Sequence, residues 1–343
     1  MGQIGIFTTE KREKKLSELG DSLEKLSTAI DWEAFRPTLT AAIGHSPRLK
    51  GGRKPYDEVM MFKILVLQRV YNLSDDQAEY QINDRISFMR FLDLDMHNTV
   101  PDAKTIWLFR ETLVKANAAE TLFKQFGEML EAKGLITHTG SIVDASFVDA
   151  PKPKITKEQK EQLKAGKLPE EWQGEDKKHK VRQMDKDGRF GMKYRKCHFG
   201  YKETVKVDAD SKLIDAFAVT AANVEDNRSF LDLLDEKDRL LYGDKGYYGK
   251  NLEAQFPANI ISMILEKGQN GHPLTEEQKE SNRIKSKVRV RVEHVFAFMK
   301  NSLHGMSIRS KGMSRARFGI GLMSLVYNIY RYAFLKRTIP TAG

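Results

Sequence analysis

Three acidic residues stand out in this sequence because of the segments that carry them: Asp144, Asp244 and Glu293. Asp144 lies inside the β-branched run SIVDASFV, where an aspartate is disfavoured unless it is paired or binds a metal. Asp244 follows a short apolar strand, and Glu293 lies beside the apolar stripe of a predicted helix. Carboxylates suit Mg²⁺, and two ions about 4 Å apart can activate one oxygen and stabilise another. Hydrolysis or transfer of a phosphodiester requires both effects.

Basic residues accompany the third acid. At about 100° per residue, Arg289 and Lys300 share one helix face with Glu293, where they could hold phosphate groups. Basic residues also recur at every second position from 283 to 291, a pattern that fits a strand. We therefore expect an extended segment at 283–286 and a helix over 287–300. Each acid taken alone could equally be structural, and Glu293 could be a surface ion-pair partner.

The elements that must position these acids follow in a definite order. Their predicted ranges are strands at 141–148, 192–207 and 212–220, a helix at 226–237, strands at 239–242 and 258–265, a polar connector at 269–285 and the helix at 287–300. Three antiparallel strands, a crossover helix and two further strands make an α/β, ribonuclease H-like fold. The acids converge if the first and fourth strands are neighbours, at the edge where α/β sheets usually keep their chemistry. Asp149 is a competing first acid, but its strand is expected to end there.

The rest of the chain divides by composition. Residues 1–30 form a polar lead-in, and 31–135 form an all-helical, helix-turn-helix-like domain. Its basic loop contains Arg53 and Lys54, which could contact DNA phosphates, although a plain helical bundle explains the pattern equally well. The catalytic domain is expected over 136–310 with a charged insertion at 150–190, followed by a basic C-terminal helix at 311–343.

Composition excludes several classes of protein. The chain of 343 residues favours about two domains, and its single cysteine excludes a disulfide framework and a cysteine-based zinc site. The net charge is +10, and no acidic residue follows Glu293, which favours a polyanionic partner such as nucleic acid. Residues 1–30 do not show the basic, apolar and small-residue order expected of a signal peptide, and Asn328 and Arg331 interrupt the last apolar tract. We therefore expect a soluble cytoplasmic protein with no membrane partner.

Four motifs in order carry a resemblance to a known family. They are SIVDASFVDAPK around Asp144, HFGYK followed by VTAANVEDN, YGDKGYYG around Asp244, and the R-x3-E-x6-K pattern of Arg289, Glu293 and Lys300. The sequence resembles bacterial insertion-sequence transposases of the DDE type, in the family named after insertion sequence five within the insertion sequence four-like superfamily. Ser286 stands where that pattern usually has a tyrosine.

The resemblance implies a cut-and-paste DNA transposase. Such an enzyme binds the terminal inverted repeats of its element, cleaves the ends and joins the 3′-hydroxyls to double-stranded target DNA, as a homodimer or larger assembly on paired ends. Asp144, Asp244 and Glu293 would be its catalytic and metal-binding residues, with two Mg²⁺ ions that Mn²⁺ can replace. The residues expected to contact DNA are Arg289, Lys300, Arg291, Lys245, Tyr247, Arg53 and Lys54.

Three alternatives stay open at this point. A domesticated binding protein without catalysis would be free to lose one of the three acids, so the intact set argues against it. A nuclease on the same fold would not need to pair two DNA ends. At the level of single residues, Tyr247 and Tyr248 could stack on a base or pack in the core.

Overall fold

The computed structural model describes residues 6–44, 55–152, 155–165, 167, 172–173, 185–193, 195–268 and 272–338. The chain divides into two compact units, one of Met1–Phe123 with Leu325–Gly343 and the other of Lys124–Ser324. In the part of the chain that is described, none of the helices combines the length and the apolar character needed to span a bilayer.

The first unit is helical. Its helices are α1 (Ile6–Glu18), α2 (Ser22–Ala29), α3 (Arg36–Ile43), α4 (Glu58–Tyr71), α5 (Asp75–Asp84), α6 (Ile86–Phe91) and α7 (Ala103–Lys115), and α8 (Ala118–Ala132) includes residues of both units. Capping fixes their starts: Ser74 and Gln77 form a reciprocal capping box at α5, and the Asp102 carboxylate accepts the backbone N–H of Thr105 at α7.

Aromatic side chains fill the core of this unit. Trp32 lies edge-on to Phe91 with ring centroids 5.4 Å apart, and Phe35 and Phe62 lie 5.2 Å apart. The polar lead-in contributes more to this core than its composition indicated. Its helix α2 buries Leu23 completely, because one face of the helix is apolar although the segment as a whole is polar.

The second unit is built on one mixed sheet. Its strands are β1 (Gly140–Asp149), β2 (Arg189–Lys193), β3 (Lys196–Asp208), β4 (Ile214–Ala221), β5 (Leu240–Tyr242) and β6 (Ile261–Ser262). The order across the sheet is β4–β3–β1–β5–β6, and β2 also pairs with β3. Strands β1, β3 and β4 are antiparallel, whereas β1, β5 and β6 are parallel. This is the predicted ribonuclease H-like arrangement, with the first strand beside the fourth strand of the predicted series.

The helices of this unit accompany the sheet. They are α9 (Lys157–Lys164), α10 (Asp226–Leu231), α11 (Lys250–Glu253), α12 (Glu276–Arg289) and α13 (Arg291–Asn301), and α14 (Met313–Thr338) includes residues of both units. The predicted helix at 226–237 ends earlier than expected. The reason is a turn in which the Asp238 carboxylate accepts the backbone N–H of Asp235, and Asp235 accepts that of Lys237.

Two predictions about the segments before the third acid were wrong. From Glu276 onward, the predicted polar connector at 269–285 is instead helix α12, which also includes the predicted extended segment at 283–286 and starts at a capping box of Thr275 and Gln278. The alternation of basic residues in this segment reflects a helix exposed on most sides. The helix predicted over 287–300 is also interrupted, because α12 ends at Arg289 and α13 begins at Arg291.

The strand predicted at 192–207 is a hairpin of β2 and β3. Arg195, in the turn between them, has a φ of 62°, a left-handed conformation that ends a strand. The hairpin leaves the pairing of β3 with β1 intact over nearly the whole length of β1.

Candidate active site

The register of β1 and β5 brings two of the predicted acids together. The last parallel pair of these strands is Ile142 beside Tyr242. Two residues further along each strand, Asp144 and Asp244 reach the same level at the carboxyl end of β5. Side chains two residues apart project from the same face of a strand, so Asp144 and Asp244 are expected on the same face of the sheet as Ile142 and Tyr242. Asp244 keeps the extended conformation, with φ −73° and ψ 159°.

Helix α13 supplies the third acid. Its buried stripe of Val292, Val295 and Met299 packs toward the sheet, and the helix contacts β1. Glu293 lies in the first turn of α13 with 53% of its side chain exposed. The stripe predicted from the sequence therefore holds the helix in place, and Glu293 stays at the solvent-facing margin of that contact.

Arg289 links the third acid to the first. Its Nη2 lies 2.6 Å from Oε1 of Glu293, and its Nη1 lies 3.4 Å from Oδ2 of Asp144. The two partners of this guanidinium come from α13 and from the central strand β1. The structure thus connects Asp144 and Glu293 through one side chain.

The environment of Asp144 disfavours its negative charge. Burial raises the pKa of Asp144 above its ordinary value, and the nearby charge of Asp244 acts in the same direction. The backbone N–H of Ala145 and the cations Lys193 and Arg289 oppose the shift without cancelling it. A cation held by Asp144 and Asp244 would offset both the cost of burying the charge of Asp144 and its repulsion by Asp244.

Other residues that were predicted to contact DNA have different surroundings. Lys245 and Lys300 are exposed, one directly after Asp244 and the other in the last turn of α13. Arg291 instead donates to the backbone oxygen of Ala209 at 2.6 Å and to Asp210 at 3.0 Å. Its guanidinium therefore fastens α13 to the turn between β3 and β4, and a DNA contact for Arg291 stays a prediction.

The two tyrosines after Asp244 differ in exposure. Tyr247 is 5% exposed and stacks on Phe230 with ring centroids 4.3 Å apart, and burial raises its pKa well above the ordinary value. These surroundings favour packing in the core over base stacking for Tyr247. Tyr248, in contrast, is 41% exposed. The predicted phosphate contacts Arg53 and Lys54 lie outside the described residues.

Asp149, the competing first acid, belongs to β1 and has a partner of its own. Its Oδ1 lies 3.0 Å from Nδ1 of His198, and the His198 ring stacks on Phe147 at 4.4 Å. This contact accounts for Asp149 as a residue that fastens β1 to β3.

A second cluster of acids was not predicted from the sequence. Among the described residues, His138, Asp215 and Asp238 bring ligand atoms within 4.8 Å of one another and could hold a metal ion. However, the ammonium group of Lys206 lies 2.9 Å from both carboxylates, and Ser141 donates to Asp238 at 2.7 Å. These contacts already offset part of the negative charge of the cluster without a metal ion. The signal in the sequence was Lys206 itself, a lysine between the apolar residues Val205 and Val207 of a buried strand.

The cluster lies on the face of the sheet opposite Asp144. Lys206 pairs directly with Val143, and directly opposed residues of an antiparallel pair project from one face. The neighbouring residue Asp144 projects from the other face. The cluster and the three predicted acids are therefore separate features of the sheet.

Comparisons with known proteins identify the family. Residues 10–112 match a family described as Transposase domain (DUF772), and residues 136–329 match the family described as Transposase DDE domain. Among solved structures, this chain is similar to a cryo-EM structure of piggyBac transposase in a synaptic complex with hairpin DNA. The match covers 91% of this chain and 74% of that chain, with 10% sequence identity and a TM-score of 0.44. At that distance, the likeness carries no functional information. The DDE match covers more than half of the chain, so the chain belongs to the DDE transposase family and is a DDE-type DNA transposase.

Proposed function

We propose that Asp144, Asp244 and Glu293 are the catalytic carboxylates with which this transposase cleaves the ends of its element. The observation that supports this proposal is the register of β1 and β5, whose last parallel pair, Ile142 and Tyr242, comes two residues before Asp144 and Asp244. The link through Arg289 supports Glu293 as the third member. In this proposal, the 3′-hydroxyls that cleavage releases are then joined to target DNA.

The three acids fit a site for divalent metal ions, which DDE transposase domains use. All their donor atoms are hard carboxylate oxygens, and the pKa of Asp144 is raised by burial and, to a smaller extent, by the charge of Asp244, both of which a cation would offset. We propose two Mg²⁺ ions, with Mn²⁺ as a substitute. When bound, such ions activate the attacking oxygen and stabilise the leaving oxygen of a phosphodiester.

The surrounding residues of the chain have positioning roles in this proposal. Asp144 is fixed by the central strand, and its Oδ1 accepts the backbone N–H of Ala145 at 2.8 Å. Glu293 lies at an exposed margin, where its side chain can adjust to DNA. Lys245 and Lys300 are exposed cations near the ends of the elements that carry Asp244 and Glu293, and they are suited to bind phosphates.

The remaining parts of the proposal concern partners. We assign binding of the terminal inverted repeats to the helical domain at 31–135 and catalysis to the domain at 136–310, with the charged insertion at 150–190 touching DNA or a second protomer. The active species is a homodimer or larger assembly on two paired ends. The motif pattern favours the insertion sequence five family, and the enzyme would act on DNA in the cytoplasm.

The test is a cleavage and joining assay with the purified chain and labelled DNA from the flanks of its gene. We expect cutting at the element ends with Mg²⁺ and none with EDTA. Asp144→Asn, Asp244→Asn and Glu293→Gln should each lower cutting at least about a hundredfold while end binding persists. Asp149→Asn is the matched control on the same strand and should retain cutting.

Three outcomes would contradict the proposal. Full activity in any of the three variants would remove that residue from the site. Tight end binding by the unmodified protein without any cutting would point to a domesticated binding protein. Cutting without paired-end assembly would instead indicate a nuclease.

A further inference from the structure

Arg289 holds a position between two of the proposed metal ligands. Its guanidinium lies 2.6 Å from an oxygen of Glu293 and 3.4 Å from an oxygen of Asp144. The Arg289 side chain is 20% exposed and that of Asp144 is 18% exposed, so the contact is partly shielded from water. The oxygens that it touches belong to the same carboxylates that a divalent cation would need.

The hold of Arg289 on these carboxylates is incomplete. A guanidinium has five N–H donors, and at 3.4 Å the contact with Asp144 is longer than a good charge-assisted hydrogen bond. In addition, Nε of Arg289 is buried and has no hydrogen-bond partner among the described residues. Such a guanidinium offsets part of the charge of the two acids, while its Nε–H donor stays unsatisfied.

Arg289 lies where helices α12 and α13 meet. Arg289 is the last residue of α12, and Glu293 lies in the first turn of α13, so the pair spans the interruption at Val290. The remainder of the site does not depend on the Arg289 side chain, because β1 and β5 position Asp144 and Asp244 through their pairing.

We propose that Arg289 is an internal counter-ion that competes with a divalent cation for Asp144 and Glu293, so that cation binding displaces its guanidinium. This inference rests on the proposed function of the three acids. The carboxylates are then balanced by a positive charge before and after the cation binds. The opposite role, in which Arg289 prepares the acids to bind the cation, predicts the opposite effect of its removal.

The experiment measures Mn²⁺ binding to the full chain without DNA, from the electron paramagnetic resonance signal of free Mn²⁺. Competition predicts that Arg289→Gln binds Mn²⁺ about tenfold more tightly than the unmodified protein. Arg289→Lys should fall between the two, because an ammonium group keeps the charge but lacks the fork that contacts both acids. Arg283→Gln is the control, because Arg283 lies on α12 and forms an ion pair with Glu280. This substitution should leave the affinity for Mn²⁺ unchanged.

Each contrary result has a definite meaning. Weaker or unchanged Mn²⁺ binding in Arg289→Gln overturns the proposal. If Arg289→Lys binds Mn²⁺ with the same affinity as the unmodified protein, the positive charge alone explains the effect without direct contact with the acids, and the proposal also fails. Asp144→Asn separates these failures from a failure of the proposed function: loss of Mn²⁺ binding in that variant supports the three-acid site, whereas unchanged binding removes the site itself.

Discussion

Lys206 lies on β3, where its ammonium group contacts Asp215 and Asp238. Burial by itself lowers the pKa of Lys206, but the two carboxylates raise it above the ordinary value, so the folded protein keeps this lysine charged. Asp238 is completely buried and also accepts from Ser141 and from the backbone of Asp235. The charged states of Lys206, Asp215 and Asp238 therefore stabilise one another.

Replacing Lys206 by methionine should destabilise the protein by about 3–5 kcal/mol, because the buried Asp238 and the partly buried Asp215 then lose their cation. Unfolding in urea followed by circular dichroism measures the change. Lys237→Met is the matched control, since Lys237 is exposed and pairs with Glu131 at the surface, and it should have little effect. A loss below about 1 kcal/mol in Lys206→Met would show that the cluster does not need its lysine.

The same variant has a defined pH dependence. A lysine whose pKa is higher in the folded than in the unfolded state stabilises the fold fully below its ordinary pKa of 10.5. This contribution disappears as the pH rises through the raised value. The stability difference between the unmodified protein and Lys206→Met should therefore be constant near neutral pH and shrink above about pH 10.5.

At the scale of elements, α12 has an unusual kind of attachment. None of its residues, all of which are described, is buried, so apolar packing contributes little to its position. Instead, the side-chain amide of Asn282 pairs with the backbone of Glu266, accepting its N–H at 2.9 Å and donating to its carbonyl oxygen at 3.0 Å. Lys285 adds a contact with Glu266 at 3.4 Å. These polar contacts hold the helix that carries Arg289.

Asn282→Ala should loosen α12 without unfolding the sheet. Two hydrogen bonds of about 1 kcal/mol each are lost, so amide exchange in α12 should become at least about tenfold faster. Hydrogen exchange read by mass spectrometry resolves this helix from the strands. Glu280→Gln, which removes a surface pair with Arg283 on the same helix, should leave the exchange of α12 close to that of the unmodified protein. Equal exchange in both variants would mean that Asn282 does not anchor the helix.

The elements also show what the sequence could reveal. The strand series and its order were predictable, because the change from helical to alternating periodicity at Gly140 and the acid inside β1 are local signals. Helix α12 was missed although Thr275 and Gln278 form a capping-box pattern, because the alternating basic residues suggested a strand.

Contacts between distant parts of the chain could not be predicted in this way. Arg289 and Asp144 are 145 residues apart, and their contact depends on how α12 and α13 meet the sheet. The pairing of Lys206 with Asp238 depends likewise on the turn after α10. No local pattern encodes such distances, so the carboxylates could be named from the sequence, but the cation between two of them could not.

At the scale of the whole molecule, the last segment of the chain is part of the same compact unit as the first helices. The segment from Leu325 onward groups with the helical unit, whereas the sequence indicated a separate basic helix at 311–343. Residues of this segment such as Val326 and Ile329 are completely buried. Within the unit, the ammonium group of Lys336 donates to the backbone oxygen of Ala29 at 3.3 Å. The helical unit is therefore discontinuous in sequence.

Ending the chain at Ser324 should consequently unfold much of the helical unit rather than remove a tail. Buried side chains of the last segment leave with it, and each large one contributes about 2–5 kcal/mol. Hydrogen exchange should show lost protection in α2 and α4 and retained protection in β1 and β3. Phe334→Ala in the full-length chain is the control, because Phe334 is exposed and the helix stays in place. Unchanged protection of α2 and α4 in the shortened chain would contradict the prediction, since it would mean that the first 123 residues fold without the end of the chain.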